Sequence, residues 1–253
     1  MLIDAHCHLD DEQIADNLDA VVARAADAGV RAIITAGTDA ASSRAAVALA
    51  DQYACVYAVV GIHPEHAATF DSATLQVIRD LAQQRKVVGI GEIGLDFYWA
   101  HNPPRPVQER ALIAQLDLAA ELGKPVVIHD RDAHRELMDI LARRSARRGI
   151  LHCFSGDLDM ARRAIDLGFY ISFAGNVTFK NARLLQDIAR ALPLERIVIE
   201  TDSPYLSPLR GKRNEPANVA RVATKIAELK NIATSAAKQA TTRNSQMLFG
   251  LSK

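Results

Sequence analysis

Residues Leu122–Ala133 read L-G-K-P-V-V-I-H-D-R-D-A. An Ala-, Leu- and Arg-rich helical segment, Pro106–Leu122, runs into Gly123, where a glycine cap ends a helix. Pro125–His129 follows as a short, nearly continuous apolar run, and a second helical segment, Asp132–Arg144, comes next. An apolar run without alternation predicts a strand covered on its outside by helices, as in a parallel sheet. The stretch is thus one complete helix–strand–helix unit, with a metal-capable residue, His129, at the strand's C-terminal end.

The unit recurs in both directions. The spacing predicts strands at Leu2–Ala5, Ala32–Ala36, Val56–Gly61, Val87–Glu92, Pro125–His129, Gly149–Cys153, Phe169–Phe173 and Arg196–Thr201. Helical segments fall at Ile14–Ala28, Ala40–Gln52, Ser72–Gln84, Pro106–Leu122, Asp132–Arg144, Leu158–Leu167, Ala182–Leu192, Pro216–Leu229 and Ser235–Phe249. Gly29 and Gly168 punctuate two helix ends as Gly123 does. Eight strands alternating with helices, with no composition break or long linker, predict a single (β/α)8 TIM barrel over residues 1–253. A doubly wound sheet is the alternative, but no G-x-G-x-x-G follows the first strand.

Composition narrows the function. With 30 basic and 30 acidic residues the formal net charge is zero, so an anionic substrate must be held by local groups. Three cysteines, Cys7, Cys55 and Cys153, form no C-x-x-C pair and fit a reducing compartment. The N-terminus has no basic n-region followed by a long apolar run, and no apolar stretch is long enough to span a bilayer. The expectation is a soluble cytoplasmic protein with no membrane partner.

Metal-capable residues sit at the ends of the predicted strands: His6 and His8 after the first, His63 after the third, Glu92 after the fourth. His129, His152 and Asp202 follow the fifth, sixth and eighth. A barrel gathers those ends at one mouth, where the active site lies. Each residue alone has an ordinary alternative, such as a hydrogen-bonded loop histidine or a turn-forming Asp before Ser-Pro. Within the first strand the period of two puts Asp4, His6 and His8 on one face. Four of these imidazoles, His6, His8, His129 and His152, and the two carboxylates suit Zn, Mn or Co, and Mg less well. Six ligands exceed one tetrahedral catalytic site, whereas two divalent metal ions about 3.5–4 Å apart would use them all. Glu92, midway around the wall, is the natural bridge.

The chain resembles the TatD family of metal-dependent deoxyribonucleases, within the amidohydrolase-like barrels. The resemblance rests on six motifs in order: H-C-H-L-D, G-I-H-P-E, G-E-I-G-L-D-F-Y, V-I-H-D-R-D-A, L-H-C-F-S-G and E-T-D-S-P-Y-L. It runs from residue 1 to about 249. It implies that His6, His8 and Asp202 hold one metal, that His129 and His152 hold the second, and that Glu92 bridges them. It also implies attack on phosphorus by a hydroxide generated between the metals, with Asp202 as general base. His63 matches a phosphate contact. Ile93 stands where the family's usual G-E-T-G-L-D has Thr, and as a strand neighbour of Glu92 it points away from the site.

Other residues have two readings. Asp96 is either an outer carboxylate that orients a ligand histidine or a turn residue. Arg131 is a phosphate contact or a helix-start ion pair. Arg210–Pro216, R-G-K-R-N-E-P, steers a nucleic-acid backbone or is a solvated loop. Tyr98 and Trp99 could stack a base, although packing of a loop is the favoured role. Cys7 and Cys153 are expected to face away from the metals, and Glu200 to support the site from below. His66, His101 and His134 are read as surface or loop residues.

The leading expectation is therefore a two-metal deoxyribonuclease, a 3′–5′ exonuclease acting on single-stranded DNA ends. The alternative is an amide, ester or lactone hydrolase on the same barrel. A metal-stabilised binding protein fits less well, because structural zinc sites are closed and use four ligands.

Overall fold

The unit read at Leu122–Ala133 repeats around a whole barrel. The computed structural model describes residues 1–145 and 148–251. Its strands are β1 (Leu2–Cys7), β2 (Val30–Ala36), β3 (Val56–Val60), β4 (Val87–Asp96), β5 (Val126–Arg131), β6 (Gly149–Leu151), β7 (Tyr170–Phe173) and β8 (Ile197–Ile199). They pair in sequence order, all parallel, which removes the doubly wound alternative. Hydrogen bonds at the C-terminal ends of the two end strands bring the chain after β8 back to β1. Asp202 N donates to the His6 carbonyl (3.0 Å) and His8 N to the Ser203 carbonyl (2.8 Å). Buried Asp4 tightens the same seam, accepting from Thr201 N at 2.8 Å and from Thr201 Oγ1 at 2.5 Å.

The helices are α1 (Glu12–Ala15), α2 (Leu18–Asp27), α3 (Ala40–Gln52), α4 (Ser72–Ala82), α5 (Arg105–Leu122), α6 (His134–Ala142), α7 (Leu158–Asp166), α8 (Arg183–Ala191), α9 (Val219–Lys230) and α10 (Thr234–Phe249). Asp39 with Ser42 and Asp71 with Thr74 form capping boxes that start α3 and α4. No helix among the described residues is long and apolar enough to cross a membrane.

Three predicted boundaries move for local reasons. The expected helix Ile14–Ala28 breaks at Asp16–Asn17, where Asn17 leaves the helical region; short polar side chains there compete for backbone hydrogen bonds. Asp132 takes a left-handed φ of 54°, so α6 starts at His134. Pro216–Asn218 forms a 3₁₀ turn before α9. The fourth strand also runs past its expected end at Glu92. Its glycines permit this. A Cβ on Gly91 would lie 2.6 Å from that of Val127, and one on Gly94 (φ 155°) would collide with the His129 carbonyl.

Alternation places the site. One apolar cluster fills the space between strands and helices and includes Ile33, Ile90, Ile128, Leu151 and Ile199. A smaller cluster fills the barrel interior with Ile34, Val59, Val127, Ile150, Tyr170 and Val198, joined by Leu248 and Phe249 of α10. Two residues further along the same inward face come polar side chains. Val127 is followed by His129 and Arg131, Ile150 by His152, and Val198 by Glu200 and Asp202. The interior is therefore apolar at its base and polar at its C-terminal mouth, as the period-two rule requires.

Candidate metal centre

Glu92 lies at the middle of the mouth, 3% exposed, and its two oxygens face different partners. Oε2 is 3.4 Å from His6 Nε2 and 3.5 Å from His8 Nε2. Oε1 is 2.8 Å from His152 Nε2, 3.0 Å from His129 Nδ1 and 3.5 Å from His63 Nε2. Asp202 stands on the Oε2 side, with Oδ1 3.7 Å from His6 Nε2 and 3.6 Å from His8 Nε2. All six residues named as ligands from the sequence, and His63, thus converge. His8, His63, His152 and Asp202 lie beyond strand ends; His6, Glu92 and His129 are inside β1, β4 and β5.

The donor set fits a divalent cation. His6 Nε2 and His8 Nε2 are 3.2 Å apart in a buried pocket. Two imidazole nitrogens at that distance share at most one proton, and both also face carboxylates. Cations between these nitrogen and oxygen donors would satisfy both sets, and borderline metals prefer that mixture. Among the described residues three groups of donors lie close enough to hold an ion: His6–His8–Glu92, His6–His152–Asp202 and His63–Glu92–His129.

Outer partners set the imidazole orientations. Asp96 Oδ2 is 3.1 Å from His129 Nε2. With that nitrogen donating to the carboxylate, Nδ1 turns its lone pair toward the Glu92 side, the arrangement in which an outer carboxylate fixes a ligand's tautomer. Asp96 therefore takes the orienting role rather than that of a turn residue alone. Glu200 supports His152 from below. Its Oε1 lies 3.4 Å from His152 Nδ1, near enough for attraction but without hydrogen-bond geometry, while it accepts from Cys153 N and Ser172 Oγ. His63 differs from the other rings. Its Nδ1 accepts from Glu65 N at 3.2 Å, so in the neutral ring Nε2 carries the hydrogen. In that tautomer Nε2 can donate to an oxyanion, and His63 would complete the third donor group only with that proton released.

The electrostatics follow from burial and crowding. Burial opposes the charged form of Glu92, but His152, His6, His63 and His129 hold its carboxyl well below the usual range. Burial likewise opposes ionised Asp202, and the hydrogen bond with His8 keeps it lowered. His8 reaches about 9, because Asp202 and Glu92 outweigh burial. Burial and neighbouring His129 drive His63 down to about 3, so it is neutral at physiological pH.

The mouth opens into a cavity of about 830 Å³, within the range of small-ligand sites. Arg131 lines it, the only Lys or Arg among the described residues to do so, and stacks on Tyr98 rather than joining a helix-start ion pair. Arg210, Lys212 and Arg213 are exposed and do not line the cavity. Cys7 faces away as expected, with its Sγ on the Ile34 carbonyl. Cys153 does not: its left-handed φ of 42° breaks the alternation, and it lines the cavity beside Asn176. Asp10 and His66 also line it, whereas His134 pairs with Asp130 at 2.7 Å. Thr38 and Asn176, unremarked in the sequence, line the mouth just past β2 and β7. The strand-end rule that found the histidines would have found both.

Comparison with known proteins agrees with this geometry. Residues 3–250 match the family model described as TatD related DNase. The chain is 40% identical over 253 residues to the uncharacterized metal-dependent hydrolase YabD of Bacillus subtilis, covering 98% of this chain and 99% of that protein. It is 36% identical over 259 residues to the 3′-5′ ssDNA/RNA exonuclease TatD of Escherichia coli K12, covering 99% of each. The crystal structure of the TatD homolog YJJV from E. coli K12 superposes with a TM-score of 0.94 at 34% identity, covering 99% of this chain and 98% of that one.

Proposed function

The chain belongs to the TatD related DNase family and is a metal-dependent hydrolase, and on that footing we propose that it hydrolyses DNA phosphodiesters, removing nucleotides from the 3′ ends of single strands. The observation that carries the reading is the divided environment of Glu92, with His6, His8 and Asp202 toward one oxygen and His129 and His152 toward the other. Those two groups would each hold one divalent ion, of Mg, Mn, Zn or Co, with Glu92 between them. Bound there, the ions lower the pKa of a water and offset charge developing on a phosphoryl group.

The protein's own groups do the rest. Asp202, ionised because His8 holds its pKa down, accepts the proton of the attacking water on its carboxylate. His63 stays neutral and donates from Nε2 to a non-bridging phosphate oxygen. The Arg131 guanidinium pairs with a phosphate at the rim. The new P–O bond comes from water, and the departing sugar oxygen leaves as a hydroxyl after taking a proton from solvent. The relative named an exonuclease on single-stranded DNA and RNA supports a strand end as substrate. The protein acts as one domain in the cytoplasm on this reading, and its three unpaired cysteines agree with a reducing compartment.

The test is metal-reconstituted protein incubated with 3′-labelled single-stranded DNA and with a panel of amides and lactones, with and without chelator. Chelator-sensitive shortening of the DNA from its 3′ end is expected. Turnover of a lactone with no DNA hydrolysis would overturn the proposal.

A further inference from the structure

Tyr98 and Trp99 follow β4 at the rim of the mouth, 51% and 47% exposed. Loop packing, the role the sequence favoured, would bury them. They stand instead in a T-shaped pair with centroids 4.7 Å apart, and Trp99 lines the cavity. The Arg131 guanidinium covers one face of Tyr98 at 4.0 Å and lies 5.2 Å from Trp99. It forms no salt bridge among the described residues, which leaves its donors free for a ligand.

One carboxylate ties this group to the metal centre. Asp96 Oδ1 accepts from Tyr98 N at 3.0 Å and from Trp99 N at 3.4 Å, while its Oδ2 meets His129 Nε2 at 3.1 Å. Asn102 and Gln108 donate to the Asp96 carbonyl and anchor the turn. His129 and Arg131 point inward from alternate positions of β5, about 6.6 Å apart along the strand. Arg131 thus stands one strand repeat out from His129, with the Trp99 ring 5.2 Å from its guanidinium. The cavity wall after β1 and β3 carries Asp10, Asp11 and Glu65, which repel a phosphate backbone.

We propose that Trp99, with Tyr98 and Arg131, forms a nucleobase-stacking platform for the nucleotide next to the scissile phosphate. This rests on the phosphodiesterase reading and extends it to a base contact. Aromatic stacking accepts any base, so the platform gives grip without sequence preference. Arg131 completes it by pairing with the neighbouring phosphate while its planar group remains stacked on Tyr98.

Trp99 is the chain's single tryptophan, so its fluorescence reports on this subsite alone. The metal-loaded protein is titrated with oligo(dT) carrying a phosphorothioate at its last linkage. Parallel titrations use strands with an abasic sugar at the last or second-to-last position. The intact strand is expected to change the fluorescence. An abasic sugar at one of the two positions should abolish that change and weaken binding roughly tenfold, the scale of one lost base stack. In kinetics, Trp99→Ala should raise KM on the ordinary strand roughly tenfold and erase the difference between intact and abasic strands, whereas Trp99→Phe retains it. Unchanged fluorescence on binding, or equal affinity for intact and abasic strands, would overturn the platform. The two readings fail separately. Protein that cuts intact and abasic strands with equal KM keeps the reaction and loses the platform. Protein that shows the base-dependent signal but cuts nothing keeps the platform and loses the reaction.

Discussion

Asp96→Asn is an informative substitution because it changes one atom at the joint between the proposed ligand His129 and the aromatic rim. The asparagine Oδ1 can still accept from Tyr98 N and Trp99 N. Its Nδ2, however, replaces the oxygen 3.1 Å from His129 Nε2 and sets donor against donor. The imidazole escapes by moving its proton to Nδ1, the nitrogen 3.0 Å from Glu92 Oε1 that the metal needs unprotonated. Flipping the amide restores that contact only by breaking both bonds to the turn. Loss of an outer partner lowers metal affinity about 10- to 100-fold, ~1.4–2.7 kcal/mol. The tautomer conflict puts this variant near the upper value for the ion proposed to lie between His129 and His152. Competition against a chromophoric chelator measures it. Asp10→Asn, which removes a cavity carboxylate without that contact, serves as the control. Wild-type metal affinity in Asp96→Asn would refute the orienting role.

Three further outcomes follow from the same geometry. Glu92→Ala removes the group between the two donor sets, so elemental analysis should find one or both metals lost and DNA hydrolysis abolished; normal binding of two metals would contradict the bridge. Asp202→Asn should lower kcat by about 10²-fold or more with folding intact, as expected for a lost general base; a near-normal rate would exclude it from that role. In chelated protein, His63 titrates near 3 when folded but near its ordinary 6.5 when unfolded. The unfolded state then binds more protons below pH 6.5, and stability is lost as pH falls toward 3, by ~1.4 kcal/mol per pH unit. His63→Gln lacks this dependence, so urea midpoints at pH 6.5 and 5 should show the variant losing ~2 kcal/mol less than wild type; parallel losses would count against the buried neutral ring.

What could be read from the sequence, and what could not, divides along one physical line. The strand-end rule is local, so it brought His129, His152 and Asp202 to the mouth without any coordinates, and the period of two put His6 and His8 on one face. Parallel strands sheathed in helices are similarly local, as eight apolar runs between helical segments. Alternation fails where the backbone leaves the extended region. Cys153, with φ at 42°, turns into the cavity instead of away from it. Asp202, at φ 56°, still reaches the mouth, with its N–H held by the His6 carbonyl across the seam. That seam joins residues nearly 200 positions apart, as in the Asp4–Thr201 bonds, and no spacing rule reaches so far. Asp96 gave the sequence two options because each of its oxygens performs one of them. One oxygen meets His129 of another strand, and the other caps the turn after its own. Local pattern therefore decides which side chains reach the mouth, while hydrogen bonds between distant segments decide the tautomer, the tilt and the partner of each ring. The chemistry of the centre depends on that second set.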